Sequence, residues 1–147
     1  MTLQVIPKKS LGQNFLNSER VVSRICETVE ATVKDTILEI GPGLGALTEK
    51  FIELPGKVVA IEKDDQLFDI LNEKFKNEIK KQKLTLINND IIDFDPKTLK
   101  KIGVHDYIIA ANIPYNITGL IIRKFLSEEF QPKKMILLIQ SEVATRI

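Results

Sequence analysis

Residues 36–45 read TILEIGPGLG, an apolar run that opens into three glycines within five positions. The first half is short, aliphatic and β-branched, the pattern of a strand buried on both faces. Gly41-Pro42-Gly43-Leu44-Gly45 then lets the backbone turn sharply and lets a ligand approach it closely. From Ala46 the pattern ALTEKFIEL reads as a helix, which Pro55-Gly56 stops. Strand, glycine loop and helix in that order suit a nucleotide-like ligand. The spacing is G-x-G-x-G rather than G-x-G-x-x-G, and no G-K-[ST] is present. A P-loop is therefore excluded, and a dinucleotide fingerprint is imperfect.

The same alternation continues outward. Upstream, Asn17 or Ser18 can cap a helix carrying Val21, Val22, Ile25 and Val29 on one side. Downstream, KVVAI is a second strand, and DQLFDILNEKFKNEIKK is a long helix with Leu67, Leu71, Phe75 and Ile79 along one stripe. LTLIN and DYIIAA are the third and fourth strands, TGLIIRKFLSEE is a helix, and KMILLI is the fifth strand. Apolar strands alternating with helices predict a doubly wound, mainly parallel α/β sheet covered on both faces, formed by residues 1–147 as one domain.

In such sheets ligands sit beyond the carboxyl ends of the strands. The residues there are informative. Glu62 follows the second strand, 21 residues after Gly41, an offset at which a carboxylate can accept both hydroxyls of a ribose. A surface carboxylate within EKDD would look the same. Asp90, in NNDIIDF after the third strand, can accept from an adenine amino group with Ile91 beside the ring; a turn aspartate is the competing reading. The fourth strand runs into Asn112-Ile113-Pro114-Tyr115, an amide, a proline and an aromatic where a strand would not choose them. Together the strand ends suggest a site for an adenosine-containing cofactor.

Composition narrows the chemistry. The chain has 147 residues, 44% hydrophobic and 28% charged, with a formal net charge of +1. That is an ordinary balance for a globular domain and is not the footprint of a strongly basic nucleic-acid binder. The lysines Lys74, Lys76, Lys80, Lys81 and Lys83 read as the solvated face of the long helix. No apolar run nears the length of a membrane span, and the first residues lack a secretory core. The single cysteine, Cys26, fits a packing role in a reducing cytoplasm. His105 is the sole histidine, placed before the fourth strand, and no cluster has metal-ligand spacing. Chemistry with little need of acid–base help is expected, and methyl transfer from a sulfonium, whose leaving group is neutral, fits.

The blocks KKSLGQNFL, EIGPGLGALT, AIEKD, NNDIIDF, NIPYNI and IQSEVATRI closely resemble the ribosomal RNA adenine dimethyltransferases of the small-subunit (KsgA) type, from Lys8 to Ile147. The resemblance implies a Rossmann-like methyltransferase using S-adenosyl-L-methionine. It also implies the substrate: two adjacent adenosines in a hairpin near the 3′ end of small-subunit rRNA, on the immature subunit, each dimethylated on its 6-amino nitrogen. Carried onto this chain, Asn14 and Leu16 would close over the methionine and adenosine ends of the cofactor. Gly41 would approach the methionine portion, Glu62 would hold the ribose and Asp90 the adenine. Asn112 would touch cofactor and target, with Pro114 fixing the backbone and Tyr115 stacking on the flipped base. A cytoplasmic monomer without metal is expected. Family members continue with two more strands and a small helical domain, so the chain reads as lacking these.

Two departures stand out: Ile113 where Leu is commoner, and Ser141 where Lys is usual. Three other readings compete. One is the related large-subunit rRNA adenine methyltransferase of the macrolide-resistance type, which shares NIPYNI. A second is a non-catalytic RNA-binding or assembly factor on this fold. The third is a nicotinamide dehydrogenase, weakened by the glycine spacing.

Overall fold

A computed structural model describes residues 18–113 and 116–139. Strands β1 (Asp35–Ile40), β2 (Lys57–Glu62), β3 (Leu84–Asn88), β4 (Asp106–Asn112) and β5 (Lys134–Leu138) form a single sheet in the order β3-β2-β1-β4-β5. All pairings are parallel. The chain moves outward from β1 to β3, then returns to the other side of β1. The topological switch therefore lies between β1 and β4, where a crevice opens beyond the strand ends.

Among the described residues, helices α1 (Glu19–Val29), α2 (Ala46–Phe51), α3 (Asp65–Lys74), α4 (Lys76–Lys80), α5 (Lys97–Lys101) and α6 (Thr118–Ser127) accompany the strands. Ser18 caps α1, its hydroxyl accepting from the Val21 N–H at 3.3 Å. Val22, Ile25 and Val29 of α1 join Leu47, Phe51, Leu71 and Phe75 over one sheet face, on Ile37, Val58, Ala60, Ile108 and Ala110. The opposite face carries Leu38, Ile40, Val59, Ile61, Ile109 and Ala111 beneath Phe94, Leu99, Ile121 and Phe125. Alternation within each strand thus feeds two cores, and this is why the strands read as unbroken apolar runs. β1 is buried throughout, whereas every residue of the edge strand β5 is only half-buried.

Local boundaries differ from the periodicity. The long helix breaks at Phe75 (φ −109°, ψ 24°), which separates α3 from α4. Phe75 is buried and its ring lies over Gly45, where a Cβ would come within 2.7 Å of the ring edge. Packing against the glycine loop therefore overrides helix continuation. α2 ends at Phe51 rather than at Leu54, β4 extends to include Asn112, and the short α5 has too few turns to show a period. The lysine cluster is not one solvated face. The Lys83 ammonium donates to the Leu54 carbonyl at 2.6 Å and also to the Gly56 carbonyl, and its burial lowers its pKa. Lys74 donates to the Leu44 carbonyl at 3.0 Å and pairs with Glu49 at 2.6 Å.

Candidate active site

The three loop glycines all adopt positive φ, at +65°, +61° and +90° for Gly41, Gly43 and Gly45, a region that side chains disfavour. Their roles differ. Gly41 continues the sheet, its N–H donating to the Ile61 carbonyl at 2.9 Å. A Cβ there would meet the Asn112 carbonyl oxygen at 4.0 Å, so the loop and the end of β4 face each other across the switch point. The Gly43 N–H donates to Glu62 Oε2 at 3.2 Å. Gly45 makes room for Phe75, a packing role rather than a ligand-facing one.

Glu62, the last residue of β2, is buried. Its Oε1 accepts from the Asp64 N–H at 2.9 Å. Its carbonyl accepts from the Asn89 N–H at 3.1 Å and from Asn88 Nδ2 at 3.2 Å. Burial pushes the carboxyl above its usual range, against the opposing pull of the Asp64 and Gly43 N–H groups. Each carboxylate oxygen has more than one acceptor direction, so both can still accept a hydroxyl while the backbone holds the group in place.

Asp90 lies just beyond β3. Its Oδ1 accepts from the Ile92 N–H at 3.0 Å, and its Oδ2 pairs with the Lys63 ammonium at 3.0 Å. Burial alone would raise this carboxyl, but the Ile92 N–H and the Lys63 and Lys124 charges outweigh it and hold the pKa low. Asp90 is therefore an ionised acceptor at neutral pH, next to buried Ile91. Asn112 ends β4 in register with Leu138, and Ile113 behind it is buried.

Four of the residues singled out from the sequence, Gly41, Glu62, Asp90 and Asn112, thus lie along one rim of the sheet. Hydrogen bonds link the Gly43 N–H to Glu62 and Glu62 to Asn88 and Asn89, an ion pair links Lys63 to Asp90, and the Asn112 carbonyl faces Gly41 across the switch point. Asn14, Leu16, Pro114, Tyr115 and Ser141 lie outside the described residues. His105 is exposed before β4, at the opposite end of the sheet. Cys26 is partly buried against the α1 core. Among the described residues, no group of acidic, histidine or cysteine side chains could hold a metal ion, and no helix is long and apolar enough to cross a membrane.

Sequence reasoning missed one participant. Glu39 lies on the β1 face that looks toward α2, is fully buried, and accepts from the Thr48 hydroxyl at 2.6 Å through Oε2. Burial pushes its carboxyl up to about 8, partly opposed by Thr48 and reinforced by the Glu62 charge. It ties β1 to α2 on either side of the glycine loop. The available signal was an acid inside an otherwise apolar strand.

Comparison with known proteins agrees with the geometry. Residues 6–147 match the family described as ribosomal RNA adenine dimethylase. A ribosomal RNA small subunit methyltransferase A of Dehalococcoides mccartyi is 41% identical over 140 residues, covering 95% of this chain and 47% of that protein. The chain thus spans about half the length of the curated relatives it matches. Among solved structures, a dimethyladenosine transferase from Plasmodium falciparum superposes with a TM-score of 0.76 at 29% identity, over 90% of this chain and 46% of that one. The 23S rRNA methyltransferase ErmE superposes with a TM-score of 0.74 at 28% identity, over 89% of this chain and 50% of that one.

Proposed function

Because the chain belongs to the ribosomal RNA adenine dimethylase family, we propose that it carries the catalytic half of an S-adenosyl-L-methionine-dependent enzyme that dimethylates the 6-amino nitrogens of two adjacent adenosines in a small-subunit rRNA hairpin. The observation that supports this reading is the rim of the sheet itself, where Gly43 is bonded to Glu62, Lys63 is paired with Asp90, and Asn112 faces Gly41. The residues suit the cofactor. Glu62 offers two backbone-fixed oxygens to a vicinal diol, and Asp90 offers a fixed anionic acceptor to an adenine amine. Gly41 leaves its backbone uncovered for the methionine end. Asn14 and Leu16 would close over it. The bound cofactor supplies a methyl group on a positively charged sulfur.

What the chain must add is alignment. An exocyclic adenine amine is a weak nucleophile, because its lone pair is delocalised into the ring. The Asn112 side-chain oxygen and the carbonyl of Ile113 or Pro114 accept its two hydrogens, which steers the nitrogen toward pyramidal geometry and aims the lone pair at the methyl carbon. Proline preorganises those acceptors. Tyr115 stacks on the base once it has left its helix. Holding the reactants in line supplies much of the remaining acceleration. Because the amine loses its proton after becoming cationic, no strong base is required.

The immature small subunit, in the cytoplasm, is the expected partner. The higher identity to a small-subunit enzyme (41%) than to ErmE (28%) favours this target over large-subunit rRNA. The test is transfer of labelled methyl groups to undermethylated small-subunit particles and, separately, to free large-subunit rRNA, with mass spectrometry of the nucleosides. Dimethyladenosine in the first alone is expected. Product only in the second would move the assignment to the macrolide-resistance type. Tight binding of either RNA without turnover, in a chain extended to the relatives' length, would favour an assembly factor.

A further inference from the structure

Beside Asp90 lies a hollow that the proposed reaction does not use. Ile92, Leu120, Ile121 and Lys124 line a cleft of about 190 Å³ between the segment after β3 and the first turns of α6. Ile121 is buried and forms the floor, while Ile92 and Leu120 leave 44% and 49% of their surfaces exposed. Lys124 Nζ donates to the Ile92 carbonyl at 2.9 Å, which fixes the ammonium at the mouth of the cleft and leaves it further donors. The cleft adjoins Asp90 through the backbone at Ile92. The Ile92 N–H is held by Asp90 Oδ1 at 3.0 Å, and the Lys124 charge is felt at Asp90. Arg123 is exposed next to Lys124 on the same helix.

An aliphatic slot of this kind, open on one side and carrying a fixed cation at its mouth, matches a flat apolar ring joined to a phosphate. Extruding an adenosine into a catalytic pocket uncovers the face of the neighbouring base, and single-stranded bases regain stability by stacking on protein surfaces while basic side chains follow the backbone. We propose that this cleft receives the nucleobase adjacent to the target adenosine, with Lys124 contacting the intervening phosphate. The inference rests on the RNA-methylating reading above and adds a substrate-positioning subsite to it.

The experiment measures the affinity of the chain for a labelled RNA stem–loop carrying the target adenosine, and for versions in which the base on its 5′ or 3′ side is replaced by an abasic residue. Parent, Leu120→Ser and Lys124→Gln chains are compared; Leu120 is exposed, so its replacement leaves the fold intact. The parent is expected to bind one abasic version about fivefold more weakly, the low end of a base-stacking contribution. Leu120→Ser should lose a similar factor on intact RNA and become indifferent to that abasic change. Lys124→Gln retains a donor to the Ile92 carbonyl and should reduce the log–log salt slope of binding by about 0.7, one phosphate's worth on a single strand. S-adenosyl-L-methionine affinity should be unchanged in Leu120→Ser. A Leu120→Ser chain that binds like the parent, or still distinguishes the abasic RNA, overturns the subsite while leaving the proposed function standing. A parent that, extended to the relatives' length, binds cofactor but no RNA overturns the RNA reading and the subsite together.

Discussion

The two ends of the sheet each bury a carboxylate, and they treat it differently. At the N-terminal end, Asp35 accepts from the Thr32 N–H at 2.8 Å and hydroxyl at 3.0 Å, and its other oxygen meets the Lys133 ammonium at 2.9 Å. Burial alone would raise that carboxyl, but these partners hold it below its usual range. Nearby, Lys83 pins the turn at Leu54 and Gly56, and the Tyr107 hydroxyl donates to the Phe130 carbonyl at 2.8 Å. That end is saturated. At the C-terminal rim, Glu62 is held by backbone N–H groups and Glu39 by a hydroxyl, and burial pushes both upward. Buried acid without a matching cation is costly. Here it is kept with only uncharged donors as partners among the described residues. One end closes the fold, and the other is the rim proposed to hold the cofactor.

The largest effect that could break this contrast is at Asn112. Asn112→Ala should lower methyl transfer by roughly 10²–10³-fold, the scale of removing one preorganised polar group from a transition state. Cofactor binding should remain measurable by calorimetry; turnover close to the parent would defeat the alignment role. At the saturated end, Asp35→Ala should cost roughly 2–3 kcal/mol of stability, because hydrogen bonds to a buried anion are lost. Denaturant titration checks this, and S-adenosyl-L-methionine affinity of the folded protein should not change.

Glu62→Ala should show the reverse. Affinity for S-adenosyl-L-methionine should fall about 10- to 100-fold through loss of a charged acceptor, with a stability change smaller than that of Asp35→Ala. Unchanged affinity would remove the ribose assignment. The smallest effect, taken per pH unit, is a slope from Glu39. Its folded pKa lies above the ordinary 4.5, at about 8, so folding takes up a proton. Its contribution to stability is full below the ordinary value and is lost as pH rises through about 8. Stability should therefore decline by at most about 1.4 kcal/mol per pH unit between these limits, and Glu39→Gln should flatten the slope. A slope of opposite sign in the parent would mean that Glu39 is ionised in the fold.

Much of this was legible in the residues. The central strands β1, β2 and β4 are buried on both faces, so their apolar runs stand out, and parallel order then directs attention to Gly41, Glu62, Asp90 and Asn112. The hidden parts are those decided by distant partners. Nothing near Phe75 in the chain announces that α3 stops there, because the Leu67, Leu71, Phe75, Ile79 stripe continues unbroken; the reason is the missing side chain of Gly45 in another loop. The Glu62–Gly43 hydrogen bond joins residues 19 apart, and only the pairing of β1 with β2 creates it. Glu39 was visible as an oddity in TILEI, but its hydroxyl partner sits on a helix whose facing side no local pattern specifies.

Backbone amide NMR during titration with S-adenosyl-L-methionine separates the two ends most directly. Saturable shifts are expected at Gly41, Gly43, Asp64 and Ile92, whose N–H groups line or brace the C-terminal rim, while Thr32, Asp35 and Lys133 stay still. Shifts confined to the Asp35 end, or none at the glycine loop at saturating cofactor, would contradict the assignment of the open rim as the methyl-donor site.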